Sequence, residues 1–387
     1  FADGFPAIVK RPGLATFASG LSAPPAAISN VPLPDPDASM QVRGIVVVQD
    51  LANGRTGVQS SNGTSWSSVT VPAPGLWTSD GFMPLPLYRG RVHYPGSTLG
   101  QIYAYDGSTA THVATLASTV TLGDGNLWTL GSIAALAADE DWLYVAATYA
   151  RLGHSATVVW RLDESYGREA LGEPFASLSF TGAIVEALMT LTAWAEEVWA
   201  ATTTWSGNRP IRIRRIAPTG STWTLDDGFG GTGFDRDYMP RALRGGGDRL
   251  VVAADPETTG LGGTKAILRM RSTTAGWSTL EESPTTDGDR YGLIAVTRSG
   301  ATVARYRADT METAVRRTSD YATFVDIAGP SASWNGLWVG GYDLAGTRYA
   351  LLNSGAGYQV VAVTASSASV VYTSLAGEVS RGVGGWQ

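Results

Sequence analysis

The chain has 387 residues, carries a formal net charge of −6 at neutral pH, and contains 16% charged residues. The low content of charged residues and the negative net charge argue against a broad electrostatic contact with nucleic acid. The chain contains no run of about eighteen apolar residues, so no membrane-spanning helix is expected. The absence of cysteine excludes disulfides and thiolate metal sites.

The N-terminal residues predict an extended arm rather than part of a sheet. Seven prolines lie within Phe1–Asp37. Proline has no backbone N–H to donate to a neighbouring strand, so this composition suits an extended chain better than a sheet interior. We therefore predict an extended arm over residues 1–40.

Seven similar strand patterns follow at nearly even intervals, with starts 46 to 55 residues apart. A period near fifty residues, filled with short strands and turn residues, is typical of a β-propeller blade. The predicted fold is all-β: a seven-bladed β-propeller of four-stranded antiparallel blades over residues 41–387. The repeated strands are Ile45–Val48, Arg91–Tyr94, Leu143–Ala147, Val198–Thr202, Leu250–Ala254, Thr302–Tyr306 and Tyr349–Asn353.

Each repeat predicts an inner strand, a tight turn, a second strand, a longer loop, a third strand, a tight turn and an outer strand. The spacing in Val185–Trp194 also fits a helix, but its place in the repeat favours a strand. Val370–Thr373 is predicted as the final strand before a glycine-rich tail that ends at Trp386. We expect the ring to close with strands from both ends of the chain.

The outer turns carry a second regularity, a short polar turn followed by an aromatic residue. It occurs in Ser60–Trp66 and Pro218–Trp223, and Ser272–Trp277 and Ser319–Phe324 occupy the same place. The pattern resembles the Asp-box turn of BNR-like β-propellers such as sialidases. This resemblance implies a structural role, away from a catalytic face. We expect four aromatic rings to pack between adjacent sheets: Trp66, Trp223, Trp277 and Phe324.

No catalytic constellation stands out in the sequence. A sialidase would need an arginine cluster with tyrosine and acidic groups, and the Arg-Ile-Pro motif of that family is missing near the N-terminus. His93, His112 and His154 lack the spacing of metal ligands. Two acidic loops could either bind calcium through their carboxylates or form solvated turns: Asp226–Asp237 and Asp287–Arg290. Neither loop completes a calcium-loop pattern. We predict no catalytic residue, no cofactor and no metal.

The segment Gly4–Phe17 resembles the opening of tail and head-completion propellers in tailed-phage virions. There a short stretch ending in Arg-Pro-Gly, as in Arg11–Gly13 here, and then an apolar residue and phenylalanine introduce the blades. This resemblance implies a component of a virion. A secreted, extracellular protein is the alternative.

The outer-to-inner and second-to-third connections of a propeller repeat emerge on one side, which we call the long-loop face. These loops are the longest and are rich in Arg, Asp and Tyr, a composition typical of contact surfaces. The alternative is that Asp235–Asp237 forms a turn whose charged side chains pair with one another. The predicted contact residues are Arg209, Asp235, Arg236, Asp237, Tyr238, Asp289, Arg290 and Tyr291.

The function expected from these features is that of a non-catalytic structural propeller in the tail or head–tail region of a phage virion. Its expected partners are other virion proteins, and a homo-oligomer is left open. The first alternative is an exported, lectin-like propeller that binds a surface glycan on exposed Trp and Tyr. The second is a glycoside hydrolase that uses acidic residues of the long-loop face.

Overall fold

The computed structural model describes residues 42–52, 55–72, 83–177, 184–203, 211–226, 238–256, 265–284, 288–354 and 357–387. All of them belong to the unit Pro36–Gln387. The arm predicted over residues 1–40 lies outside the described residues. Within those residues, no helix combines the length and the apolar character that a membrane crossing requires.

The described residues form seven β-sheets. Six of these sheets are built from consecutive strands, and we number them 2 to 7 in chain order. The other one, the closing sheet, combines strands from the two ends of the described chain. Its strands are β1 (Gly44–Ala52), β2 (Arg55–Ser60), β3 (Ser67–Val69), β4 (Met83–Pro84) and β33 (Ser380–Trp386).

Sheets 2 to 4 cover the chain from residue 87 to residue 225. Sheet 2 contains β5 (Leu87–Tyr88), β6 (Arg91–Pro95), β7 (Gln101–Tyr105) and β8 (Ala110–Thr115). Sheet 3 contains β9 (Thr119–Thr121), β10 (Leu127–Ala138), β11 (Leu143–Arg151), β12 (His154–Leu162), β13 (Arg168–Ala170), β14 (Phe175–Ala176) and β15 (Ile184–Val185). Sheet 4 contains β16 (Ala187–Trp194), β17 (Glu197–Thr203), β18 (Ile211–Ile216) and β19 (Thr224–Leu225).

Sheets 5 to 7 cover the chain from residue 238 to residue 373. Sheet 5 contains β20 (Tyr238–Gly246), β21 (Arg249–Pro256), β22 (Ile267–Ser272) and β23 (Trp277–Glu282). Sheet 6 contains β24 (Arg290–Thr297), β25 (Gly300–Arg307), β26 (Glu312–Thr318) and β27 (Val325–Ser331), and a short 3-10 helix follows at Ala332–Trp334. Sheet 7 contains β28 (Leu337–Val339), β29 (Asp343–Leu344), β30 (Thr347–Ser354), β31 (Gly357–Val363) and β32 (Ala368–Thr373).

Every sheet contains a path of four antiparallel strands from an inner to an outer strand. In sheet 4 this path is β16, β17, β18 and β19, and in the closing sheet it is β33, β1, β2 and β3. Successive inner strands contact one another, β16 with β20, β20 with β24, and β24 with β28. The predicted all-β propeller of four-stranded antiparallel blades is therefore confirmed.

The segment Val185–Trp194, which also fitted a helix by spacing, is extended. It is divided at Glu186, so that β15 belongs to sheet 3 and β16 to sheet 4. The break falls at a buried carboxylate, whose ion pairs are described below. The helix alternative is therefore wrong, because pairing with β17 overrides the local spacing.

The end of the chain differs from the prediction. Val370–Thr373 lies in β32, the outer strand of sheet 7, and the glycine-rich segment after it forms β33. This strand pairs with β1 on one side and with β4 on the other. Its glycines permit a close approach, since a Cβ added at Gly384 would lie 2.4 Å from Val92 Cγ1. The segment predicted as a tail is thus the inner strand of the closing sheet.

The core lies between neighbouring sheets, and the four repeated aromatic residues lie there. The Trp223 ring is 5.0 Å from the Phe175 ring of sheet 3, and the Trp66 ring is 5.5 Å from the Tyr372 ring of sheet 7. Trp277 packs at the edge of the cluster between sheets 4 and 5, and Phe324 at the edge of the cluster between sheets 5 and 6. Trp223 is the most deeply buried of the four.

The turns that precede these aromatic residues satisfy their own backbone groups. Ser60 Oγ accepts the Gly63 N–H at 2.8 Å, and Ser272 Oγ accepts the Ala275 N–H at 2.8 Å. In the turn before Phe324, Asp320 Oδ1 accepts the Ala322 N–H at 2.9 Å. Such local bonds stabilise the turn geometry without help from other blades.

Candidate functional site

A cleft of about 110 Å³ is lined mainly by residues near the starts of inner strands, together with two residues of the second strand β25. Because the inner strands run in the same direction in each repeat, their starts meet at one end of the central channel, on the long-loop face. The cleft is therefore the mouth of that channel. Its lining residues are Met189, Pro240, Arg241, Ala242, Arg290, Tyr291, Gly292, Ala304, Tyr306, Gly336, Leu337, Trp338 and Val339.

Irregular pairing in the inner strands positions two of these side chains. The register of β16 against β17 shifts between Leu188 and Thr190, so that Met189 is the bulged residue. The register of β20 against β21 shifts in the same way between Pro240 and Ala242, around Arg241. A β-bulge re-aims a side chain out of the regular alternation. The bulges thus account for the presence of Met189 and Arg241 in the lining.

Arg241 is held from behind by a buried carboxylate. Its Nε lies 2.9 Å from Asp255 Oδ2, and Asp255, near the end of β21, is 3% exposed. Burial raises the pKa of Asp255 to about 6, although the positive charges of Arg241 and Arg290 oppose this rise. The carboxylate therefore contributes negative charge directly beneath the cleft at neutral pH.

Below the cleft, two side chains connect sheets that are not neighbours. Arg244 Nη2 donates to the Gly341 carbonyl at 2.9 Å, which joins β20 to the segment after β28. Tyr342 Oη donates to the Leu85 carbonyl at 2.6 Å and accepts the Leu87 N–H at 2.9 Å. Burial raises the pKa of Tyr342 to about 12. These bonds link the inner parts of the sheets at a deeper level than the cleft.

Buried acids recur just before inner strands. Glu186 immediately precedes β16 and accepts from Arg214 at 2.7 and 2.8 Å and from Thr202 Oγ1 at 2.7 Å. Glu378, two residues before β33, accepts from Arg55 at 2.6 and 2.8 Å. Each acid binds the third strand of its own sheet. These ion pairs fix the connections that lead into the inner strands.

Half of the predicted contact residues lie outside the described residues: Arg209, Asp235, Arg236 and Asp237. Tyr238 begins β20. Arg290 is exposed and Tyr291 is buried, and both line the cleft.

Asp289 and Tyr291 do not have the exposure that the predicted contact surface requires. Asp289 is 1% exposed and its Oδ1 accepts the Ala308 N–H at 2.9 Å, while Arg305 Nη2 lies 3.6 Å from its other oxygen. Tyr291 is 3% exposed, and burial raises the pKa of its hydroxyl. Asp289 therefore anchors the start of β24 instead of presenting a charge to a partner.

The histidines lie away from the cleft lining. His93 is fully buried in β6, where its ring meets the Arg91 carbonyl at 3.1 Å and Tyr166 Oη at 3.0 Å. His112 and His154 are exposed. Within the described part of the chain, no group of three His, Cys, Asp or Glu side chains could hold a metal ion.

The buried His93 predicts a specific loss of stability in acid. Burial lowers its pKa from 6.5 to about 3, so below pH 6.5 the unfolded state takes up a proton that the folded state does not. The free energy of unfolding should therefore fall as the pH drops from 6.5 towards 3, by up to about 1.4 kcal/mol per pH unit. Urea denaturation of wild type and His93→Gln at pH 7 and pH 5 tests this.

His93→Gln should lose less stability than wild type between pH 7 and pH 5. His154→Gln, a change at an exposed site, serves as the control and should keep the wild-type pH dependence. Equal pH dependence in His93→Gln and wild type would show that the pKa of His93 is not lowered in the folded state.

Comparison with known proteins identifies no family. No family model matches the chain, and no curated protein matches it. Among solved structures, the chain is similar to puromycin hydrolase, with 14% identity, 86% of this chain and 52% of that chain covered, and a TM-score of 0.54. It is similar to a putative 6-phosphogluconolactonase from Bacteroides uniformis, with 11% identity, coverages of 88% and 98%, and a TM-score of 0.51.

A further similarity is to the β-propeller domain of the Trilobed protease from Pyrococcus furiosus, with 11% identity, coverages of 86% and 95%, and a TM-score of 0.48. At these identities the similarities show the fold alone. The chain spans about half the length of puromycin hydrolase, 52%.

The expected function of a non-catalytic virion component is wrong. It is contradicted by the similarity to puromycin hydrolase, which covers 86% of this chain. The phage-tail, Asp-box and carbohydrate-binding expectations find no support in these similarities.

Four residues of the site were not predicted from the sequence: Arg241, Asp255, Met189 and Trp338. One signal was available for the first two. Arg241 stands in an otherwise apolar stretch of an inner strand, and Asp255 ends the apolar run of a second strand. Charged residues are rarely buried unless they are paired, so these two positions could have been proposed as an ion pair. Met189 and Trp338 gave no such signal, because apolar residues are expected in a core strand.

Proposed function

We propose that this chain forms the substrate-holding propeller of a hydrolase that acts on small peptide-like molecules. The observation that carries the proposal is the cleft at the channel mouth, built from the inner strands of sheets 4 to 7 and the second strand of sheet 6. Two arginines and the apolar surfaces of Met189, Tyr306 and Trp338 converge there, a combination typical of small-molecule sites. The fold shared with puromycin hydrolase supports a hydrolytic role.

The chemical step is assigned to groups outside the described residues. The described cleft lining contains no serine, cysteine, histidine or acidic side chain, so it offers neither a usual nucleophile nor a usual general base. In this proposal the propeller binds the substrate, and a catalytic unit that faces the long-loop face performs the hydrolysis.

The distribution of exposed apolar residues supports a covered long-loop face. Leu152 is 83% exposed and Met311 is 62% exposed, each in a second-to-third connection with φ near +50°. Positive φ is unfavourable for such side chains, and exposed apolar residues repeated on one face suit a contact surface. Further exposed apolar residues in or beside connections of this face are Leu99, Leu127, Val185, Leu375 and Val379.

The number of blades in the ring is part of the proposal. Six sheets come from consecutive segments, and we count the closing sheet as a seventh blade because it has its own inner-to-outer path of four strands. A crystal structure with six blades around the channel would contradict this count.

Filling the cleft should weaken substrate binding without unfolding the protein. Ala242 lines the cleft and is only half-buried, so Ala242→Trp would place a large ring in it. The protein should be purified under mild conditions from its native source, so that any companion is retained, and assayed on a panel of fluorogenic peptide amides. The variant should show at least about a tenfold rise in KM.

Ala275→Trp is the matched control, because Ala275 is exposed in a tight turn on the opposite side. It should leave hydrolysis unchanged. Absence of hydrolysis in the wild-type preparation, or equal activity of Ala242→Trp and wild type, would refute the proposed function.

A further inference from the structure

Resting on the assignment of the cleft as the substrate site, we infer that it recognises a ligand with a carboxylate next to an apolar group. Arg290 and Arg241 bind the carboxylate, Asp255 holds Arg241 in place, and Trp338, Tyr306 and Met189 contact the apolar part. The ligand class is thus an amphipathic organic acid, such as the C-terminal end of a short peptide.

The positive charge of the cleft lining favours an anionic ligand. Its described lining contains two arginines and no acidic side chain, although the chain as a whole has a net charge of −6. An excess of positive charge in a concave site attracts anions. The buried Asp255 offsets one of the two positive charges, so the arginines keep an excess of positive charge that disfavours a free N-terminal amino group as the bound end of a peptide.

Arg290 is the principal contact for the carboxylate. It is exposed at the start of β24, and it forms no ion pair with any other described residue. Arginine presents a planar fork of N–H donors that matches the two oxygens of a carboxylate. The one described electrostatic partner of Arg290 is the buried Asp255, whose pKa its charge lowers. The exposed guanidinium has no further described ionic partner, so it is available to bind a ligand.

Arg241 is oriented by its surroundings before any ligand arrives. The bulge in β20 turns it towards the cleft, and the Nε contact of 2.9 Å with Asp255 fixes the plane of its guanidinium. A side chain that is already ordered loses less entropy on binding. Asp255 therefore acts as a positioning residue, and its negative charge also weakens the attraction of Arg241 for an anion.

The apolar wall determines what accompanies the carboxylate. The apolar part of the lining consists of Trp338, which is 6% exposed, Tyr306 of β25 and the bulged Met189. Trp338 Nε1 donates to the Trp334 carbonyl at 3.3 Å, which holds the indole ring in place. An aromatic or branched apolar group would pack on this wall, whereas a small inorganic anion would leave it uncovered.

The test uses probes without a hydrolysable peptide bond. Binding of 3-phenylpropionate and of its neutral amide, 3-phenylpropionamide, is followed by calorimetry and by the change in tryptophan fluorescence. Wild type should bind the acid at least about tenfold more tightly than the amide. Arg290→Gln should remove this preference, and Arg298→Gln, at an exposed position in the tight turn after β24, should retain it.

Asp255→Asn should change the affinity for the acid in the direction opposite to Arg290→Gln. It keeps the shape of the side chain and an oxygen that can accept from Arg241 Nε, so Arg241 stays oriented. The substitution removes the negative charge beside Arg241, so the acid should bind more tightly and the amide should be unaffected. Near-ultraviolet circular dichroism verifies that each variant is folded, and inorganic phosphate serves as a competitor without an apolar part.

Each outcome has a distinct consequence. Equal binding of acid and amide to wild type, or no binding of either, would overturn the carboxylate inference. The same holds if phosphate displaces the acid at equal concentration, because the apolar wall would then contribute nothing. Preference for the acid in a preparation that hydrolyses no peptide amide would refute the proposed function and leave the carboxylate site standing.

Discussion

Replacing Trp386 by alanine should lower the free energy of unfolding by about 3–5 kcal/mol, the usual cost of removing a buried tryptophan. The ring lies at the end of β33 and is 8% exposed. Its centroid is 5.7 Å from that of Tyr105 in sheet 2. A Cβ added at Gly44 would lie 2.0 Å from the ring, and one added at Gly107 would lie 2.2 Å from it. The indole therefore packs directly against the backbone of β1 and of the turn after β7.

Urea denaturation measures the effect, and a lower midpoint with an unchanged slope is expected. Leu127→Ala is the control, since this side chain is 61% exposed, and it should change stability by less than about 0.5 kcal/mol. A variant Trp386→Ala with the wild-type midpoint would mean that the last strand does not close the sheet formed by β1 to β3.

Replacing Glu186 by alanine should cost about 3–5 kcal/mol, because it breaks an ion pair whose carboxylate is buried and leaves the partly buried Arg214 without its partner. The carboxylate is 2% exposed and lies 2.7 Å from Arg214 and 3.2 Å from Arg212. It also accepts the Thr202 hydroxyl. Since Glu186 separates β15 from β16, its loss should loosen the connection between sheets 3 and 4 as well.

Glu169→Ala tests an ion pair of the same kind at the surface. Glu169 binds Arg161, but its side chain is 68% exposed, so its removal should cost less than about 1 kcal/mol. Thermal and urea denaturation of the two variants give the comparison. Similar costs at the two positions would show that burial does not strengthen the contribution of Glu186.

The repeat was predictable because each blade carries its own pattern. Alternating and apolar runs of four to eight residues, separated by turn residues, determine strands locally. The order of inner, second, third and outer strands therefore followed from the chain alone. The four aromatic residues at the outer turns were also recognisable, because each occupies the same place in its repeat.

The candidate site was less predictable, because its residues come from four sheets. The long-loop face was selected from loop composition, and of the eight proposed contact residues Arg290 and Tyr291 line the cleft. Asp289 carried the same sequence signal but is buried as an anchor. A charged residue that lines a cleft and one that anchors a strand look the same in the sequence near a strand start. Only the neighbours of the residue in the fold distinguish the two roles.

By itself, the sequence determined the all-β class, the repeat of four strands and the local turns, because these depend on residues close together in the chain. The tertiary structure alone decided that the glycine-rich segment Ser380–Trp386 is an inner strand, since its partner β1 is more than three hundred residues away. It also decided that bulges at Met189 and Arg241 form a cleft with Arg290 and Trp338. Bulges and ion pairs of this kind arise from contacts between strands, and no local pattern encodes them.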